Sequence, residues 1–242
     1  MLSSPTLLAF DTSTEVLSLA LLHGGTVTAT DAQGGAQASV QLIPQALRLL
    51  REAGCAPSSV DAIAFGRGPG AFTGLRTACS VAQGLAFGLG KPVLPLDSLL
   101  IPAEDARVQR PDTAGDLWVA MDARMDEIYA ARYGWEGGCW KVLHEPALFT
   151  QEALAMRWRR EPPRAVAGSA LDAFGERLPL GDTVTLPRML SRAQALARIA
   201  LQSWEHGEAV DAAQALPLYL RDKVALTTLE REAARAAAAE AP

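Results

Sequence analysis

The order in which strand and helix patterns follow one another constrains the fold of this chain more than any other feature. Three short apolar runs separated by polar or glycine-containing turns open the sequence and predict an antiparallel meander. Helices then alternate with further strands, which predicts parallel crossovers and an α/β sheet. The predicted strands cover 6–10, 16–22, 26–30, 60–65 and 93–96, with helices at 40–50 and 74–89.

A second copy of this pattern follows. The apolar run 7–11, which ends at Asp11, is echoed by 118–122, which ends at Asp122, and each is followed by a polar turn and another apolar run. Such a duplication predicts an actin-like ATPase (ribonuclease-H-like) fold with two lobes. We place the boundary in the proline- and charge-rich segment 102–113. The predicted divisions are an N-terminal lobe 1–105, a C-terminal lobe 106–225 and an Ala/Glu/Arg-rich tail 226–242.

Further elements are predicted in the second half. Strands are expected at 140–143, 164–168 and 183–186, and helices at 151–159 and 192–205.

Composition narrows the class of function. A chain of 242 residues that is 49% hydrophobic can bury a substantial core, and its start lacks a basic region followed by a long apolar run. We therefore expect a cytoplasmic protein without membrane contact. A net charge of −5 disfavours independent binding to a nucleic-acid backbone, which depends on clustered lysine and arginine. A short cluster at Arg157, Arg159, Arg160 and Arg164 is interpreted as a solvated helix end, with RNA contact as the alternative.

Two acidic turns are the candidates for a nucleotide cleft. Asp11, Thr12 and Ser13 follow the first strand, and Asp122, Ala123 and Arg124 follow its repeat. Aspartate is also simply a good turn former. The first turn lacks a glycine two residues after the aspartate, where a backbone could approach phosphate closely. Any binding of ATP or ADP is therefore expected to be weak, and no cofactor is required.

The segment 66–76 contains four glycines, which mark a backbone of unusual conformation or close approach. It fits neither a P-loop nor GxGxxG. In the helix that follows, Thr77, Ser80, Gly84 and Gly88 lie on one narrow face. Such a face admits another helix closely, either from this protein's own core or from a partner.

Five segments together resemble the bacterial TsaB family, and the likeness extends to about residue 224. They are the glycine-rich segment 66–76, its helix through Gly90, and the segments 92–98, 121–124 and 217–221.

The resemblance implies a non-catalytic subunit needed for threonylcarbamoyl transfer to N6 of adenosine 37 in tRNAs that decode ANN codons. It implies binding to a TsaD-type catalytic subunit and a TsaE-type ATPase, homodimerisation of the chain alone, and tRNA contact only through the complex. The helix after the glycine-rich loop is the partner region that the resemblance implies. The partner-binding residues expected there are Gly68, Pro69, Gly70, Thr73, Gly74, Arg76, Thr77, Ser80, Gly84 and Gly88.

The histidines agree with a non-catalytic role. TsaD-type proteins carry two metal-binding histidines on the first helix, where this chain has no histidine at residues 37–42. His23, His144 and His206 share no ligand spacing, so no metal site and no catalytic residue is predicted. The alternatives are a metal-dependent hydrolase, which would use Asp11 and Asp61, and a small-molecule kinase, which would use Asp97.

Overall fold

The computed structural model describes residues 4–221, so the predicted tail at 226–242 lies outside the described residues. Within them, two five-stranded mixed sheets have the same topology. The first is ordered β3-β2-β1-β4-β5 and the second β10-β9-β6-β7-β8. In each, the first strand pairs antiparallel with the second and parallel with the fourth. The duplication predicted from the two aspartate-ended strands is therefore confirmed, as is the α/β actin-like ATPase fold class.

The strands are Leu7–Asp11 (β1), Val16–His23 (β2), Thr26–Gln33 (β3), Ala62–Gly68 (β4), Val93–Asp97 (β5), Leu117–Asp122 (β6), Glu127–Glu136 (β7), Cys139–Thr150 (β8), Ala165–Ala167 (β9) and Val184–Leu186 (β10). The helices are Ala38–Glu52 (α1), Phe72–Leu89 (α2), Leu100–Gln109 (α3), Gln151–Arg160 (α4), Ala170–Phe174 (α5) and Arg192–Glu205 (α6).

Helices cover both faces of the first sheet. Successive strand residues point to opposite faces, so a strand with a continuous apolar run presents apolar side chains to the helices on both sides. From β1, Leu8 and Phe10 pack with α1 and α2, whereas Leu7 and Ala9 pack on the other face with residues of α6 such as Leu196. The second sheet is covered by α3 on one face and by α4 and α5 on the other. The long apolar runs of β1 and β6 thus reflect burial on both sides.

Helices α3 and α6 lie between the two sheets. Helix α3 packs on the second sheet, and α6 returns to the first, so each sheet uses a helix from the opposite part of the sequence. Asp105 of α3 accepts hydrogen bonds from the backbone amides of Leu190 and Ser191, just before α6. The lobe limits 1–105 and 106–225 stay a prediction. Residues 102–109 of the segment expected to contain their boundary belong to helix α3, which is buried at 101–106. Among the helices of residues 4–221, none combines the length and hydrophobicity that crossing a bilayer requires.

Candidate functional site

A cleft of about 590 Å³ lies between the two sheets, at the carboxyl ends of β1 and β6. This edge is where ligands bind in open α/β sheets. Of the six candidate cleft residues, Ser13, Asp122, Ala123 and Arg124 line the cavity. Asp11 and Thr12 are buried.

Asp11 is engaged by the protein's own donors. Its side chain is fully buried and accepts hydrogen bonds from the Ser13 hydroxyl at 2.7 Å and the Ser98 hydroxyl at 2.7 Å. The Arg192 guanidinium at the start of α6 forms an ion pair with Oδ1 of Asp11 at 2.9 Å. A buried carboxylate needs such a partner, because burying an unpaired charge is costly. The arginine therefore supplies the positive charge at Asp11.

Three glycines of the segment 66–76 bring it against the first acidic turn. A Cβ at Gly66 would overlap the Asp11 carboxylate, and one at Gly70 or Gly74 would overlap the backbone carbonyls of Ser13 or Thr12. Two hydrogen bonds fix the contact: the Thr12 hydroxyl donates to the Gly74 carbonyl at 2.7 Å, and the Ala71 amide donates to the Ser13 carbonyl at 2.7 Å. The close approach that the glycines indicated is therefore made to the protein's own turn.

The second acidic turn has a different backbone. Arg124, Met125 and Asp126 all have positive φ, between 56° and 64°, which is uncommon for non-glycine residues. The Asp122 carboxylate accepts from the Arg124 amide at 2.8 Å, and Arg221 donates to the Ala123 carbonyl at 3.0 Å. The turn is thus stabilised by Asp122 from within and by Arg221 from the segment 217–221.

The segment 217–221 crosses the mouth of the cleft and links the two sheets. The Leu218 amide donates to the Arg67 carbonyl at 2.7 Å, and the Tyr219 ring lies 4.7 Å from the Phe72 ring. At its other end, Arg221 pairs with Glu127 at the start of β7. The motif at 217–221 contributed to the family resemblance, but its bridging role could not be read from its sequence.

The candidate partner residues divide into two groups. Gly68, Pro69 and Gly74 are buried, and Gly70 is half-buried against Ser13. Thr73, Arg76, Ser80, Gly84 and Gly88 are exposed, and Thr77 is half-buried.

The exposed face of α2 continues onto α1, which lies beside it on the same face of the first sheet. An added Cβ at Gly84 or Gly88 would meet no atom within 4 Å, so neither glycine faces the core. Large apolar side chains are exposed nearby, with Val40 65% and Phe87 61% accessible. We call this the α1–α2 surface; it comprises Val40, Ile43, Leu47, Ser80, Gly84, Phe87 and Gly88.

The acids and histidines of the alternative functions lie apart. Asp61 precedes β4 and accepts from the Thr6 amide at 2.8 Å, at the opposite end of the sheet from Asp11. His23 lies beside Thr6, His144 packs on Trp118 and His206 follows α6. Within residues 4–221 no three His, Cys, Asp or Glu side chains are grouped so that they could hold a metal ion.

Asp97, the candidate acid of a kinase, belongs to a second cavity of about 460 Å³ that also contains Arg67 and Trp140. Its carboxylate accepts from the Tyr133 hydroxyl of the second sheet at 2.5 Å and from the Leu99 amide at 2.9 Å. Burial raises the pKa of Asp97 to about 6, and these hydrogen bonds oppose the rise. Asp97 therefore connects the sheets through a carboxyl group that is costly to ionise.

This raised pKa predicts how stability varies with pH. The folded protein binds the Asp97 proton more tightly than the unfolded chain, so wild-type stability should rise relative to Asp97→Asn as pH falls from 7 to 5. Between pH 7 and 5 the Asp97 carboxyl takes up its proton in the folded protein but not in the unfolded chain, so we expect a relative gain of about 1 kcal/mol by urea unfolding. The exposed Asp112→Asn is the control and should give no such gain. Parallel curves for wild type and Asp97→Asn would contradict the prediction.

Two sheets of one topology around this cleft define a member of the actin-like ATPase class. A family model described as "TsaD: tRNA N6-adenosine threonylcarbamoyltransferase" matches residues 34–216. The chain is 32% identical to the tRNA threonylcarbamoyladenosine biosynthesis protein TsaB of Haemophilus influenzae, over 90% of this chain and 94% of that protein. It is 33% identical to TsaB of Escherichia coli, over 90% and 96%. The chain therefore belongs to the TsaB family.

A solved structure agrees with this assignment. The protein described as YeaZ from Pseudomonas aeruginosa superposes with a TM-score of 0.79 at 42% identity, covering 89% of this chain and all of that one.

Proposed function

We propose that this protein is a non-catalytic subunit in the synthesis of threonylcarbamoyladenosine in tRNA. Membership of the TsaB family, whose curated relatives are named as biosynthesis proteins for this modification, supports the pathway. In this proposal the chain binds a TsaD-type catalytic subunit in the cytoplasm and works with a TsaE-type ATPase. Threonylcarbamoyl transfer to N6 of adenosine 37 belongs to the catalytic subunit.

The α1–α2 surface is the observation that carries this proposal. Exposed large apolar residues next to a strip of Ser80, Gly84 and Gly88 leave an apolar surface that a second helix can approach closely. Each interior glycine costs roughly 0.5–1 kcal/mol in helix stability relative to alanine. Because neither Gly84 nor Gly88 contacts the core, we infer that contact with a partner offsets this cost. Without a TsaD-type partner, the same surface would pair two copies of this chain.

The environment of Asp11 supports the non-catalytic part of the proposal. An aspartate that serves a metal or phosphate must present a free oxygen to the cleft, whereas this one is buried with Arg192, Ser13 and Ser98. The turn around it is packed against the glycine-rich segment. Neither the hydrolase nor the kinase alternative has a comparable observation in its favour.

A reconstituted transfer assay tests the function. With a TsaD-type protein, a TsaE-type ATPase, threonylcarbamoyl-AMP and tRNA, omission of this chain should lower product formation to background. The chain alone should form no product. Full activity without the chain would remove its role as a required subunit, and turnover by the chain alone that Asp11→Ala abolishes would show that it is an enzyme.

A further inference from the structure

Four arginines gather at the edge of the second sheet that lies opposite the cleft. Arg164 immediately precedes β9, whose carboxyl end leads to Gly168 in the cleft lining. Because β6, β9 and β10 are parallel, the amino ends of all three meet at this edge. Helix α4 ends at the same place. We call this group the arginine edge; it comprises Arg157, Arg159, Arg160 and Arg164.

The arginine edge carries uncompensated positive charge. Among residues 4–221, the ion pairs found include none made by these four arginines. The neighbouring carboxylates of Asp116 and Glu161 are both taken by Arg132, at 2.7 and 2.6 Å. The exposed Asp182 is a further carboxylate, but the sum of the charges at the arginine edge stays positive when it is included. The net charge of the whole chain is −5.

Helix stabilisation explains only part of this cluster. Cations in the last turn of a helix interact favourably with its dipole, which accounts for Arg157, Arg159 and Arg160. Arg164 lies beyond the helix, after Pro162 and Pro163, and gains nothing from that dipole. Helix stabilisation therefore does not account for Arg164.

Arg157 shows that one of these guanidinium groups is held in position. It lies over the Trp118 ring, 5.3 Å from the centroid, and its Nε is buried without a hydrogen-bond partner. An arginine stacked on an aromatic face retains donors for an external acceptor, and its planar fork matches the geometry of phosphate.

We propose that the arginine edge binds the phosphate backbone of tRNA within the complex. The inference rests on the proposed function, since the acidic chain alone offers too little positive charge to hold RNA. Three exposed arginines contribute phosphate contacts, and the edge lies on the second sheet, away from the α1–α2 surface on the first. Loss of RNA contact can therefore be separated from loss of the catalytic partner.

The test compares two triple variants in the complex with a TsaD-type protein. Arg159, Arg160 and Arg164 are changed to glutamine in one and to lysine in the other, and affinity for a tRNA transcript is measured against salt. Each phosphate contact contributes roughly 0.7–0.9 to the slope of log K against log salt. The glutamine triple should lower that slope by about 2 and weaken binding at low salt about tenfold or more. The lysine triple should keep the wild-type slope.

The outcomes separate this inference from the proposed function. Normal assembly of both variants with unchanged salt slopes would overturn the RNA contact and leave the subunit role intact. Loss of the TsaE-type ATPase from the glutamine complex, with the RNA slope unchanged, would also overturn it and make the edge a protein contact. If wild-type protein forms no complex before RNA is added, the proposed function fails and the inference fails with it.

Discussion

Replacing Gly84 with leucine is expected to abolish binding to a TsaD-type partner while leaving this protein folded. Gly84 is exposed and an added Cβ meets no atom within 4 Å, so the isolated chain has room for the side chain. Leucine favours a helix over glycine, and the free energy of unfolding should rise by about 0.5–1 kcal/mol. A bulky residue inside an interface of roughly 800 Å² per partner should cost several kcal/mol, weakening Kd more than 100-fold.

Analytical ultracentrifugation of the mixed proteins, together with urea unfolding of the variant alone, measures both effects. Gly115→Leu is the matched control, because Gly115 is also exposed with open space around it but lies beside the second sheet. Normal assembly of Gly84→Leu would refute the interface. An unfolded variant would instead support the alternative that this face of α2 packs against the protein's own core. The same variant should stop threonylcarbamoyladenosine formation in the reconstituted assay.

Removal of the arginine beside Asp11 should give the largest loss of stability. Arg192→Met leaves a fully buried carboxylate without its cation, because the guanidinium makes the only ion pair found at Asp11 within residues 4–221. Breaking a buried pair in this way typically costs about 3–5 kcal/mol. Urea unfolding at pH 7 measures the loss.

A double-mutant cycle separates the ion pair from simple packing. Adding Asp11→Asn to Arg192→Met removes the unpaired charge, so the double variant should recover much of the lost stability. Equal destabilisation of the single and double variants would show that Arg192 acts through packing and does not serve as the cation of Asp11.

Periodic apolar patterns were sufficient to predict most of the architecture. The apolar pattern predicts helix α6 at 192–205, and the structure has it at Arg192–Glu205. The pattern predicts α4 at 151–159, and the helix ends one residue later. The strand ends at Asp11 and Asp122 revealed the duplication because both strands are buried on both faces and stop at an acidic turn.

Helix α3 shows what a local pattern does not predict. The segment 102–113 is notable in the sequence for its prolines and charges, and in the structure its Glu104 is fully buried. Arg107 binds this carboxylate through two hydrogen bonds, and the Trp140 indole donates a third at 3.1 Å. Arg107 lies three residues further along the same helix, but Trp140 lies 36 residues away, so the second partner cannot be read from the segment itself.

The candidate site shows the same limit. Two residues that bind Asp11 lie far from it in the sequence: Ser98 directly follows β5, and Arg192 begins α6. No sequence spacing indicates that either residue contacts Asp11. The glycines of 66–76 did signal a close approach, but not what is approached. A glycine at such a position indicates that a side chain would not fit there. Which atom that side chain would overlap depends on the tertiary structure.

The central claim is that this protein acts by binding a catalytic partner, and sedimentation velocity of the two purified proteins tests it most directly. We expect wild-type protein mixed with a TsaD-type protein to sediment as a complex larger than either component, and Gly84→Leu to remain separate under the same conditions. Two independent boundaries for the wild-type mixture, at concentrations well above 1 μM, would contradict the account.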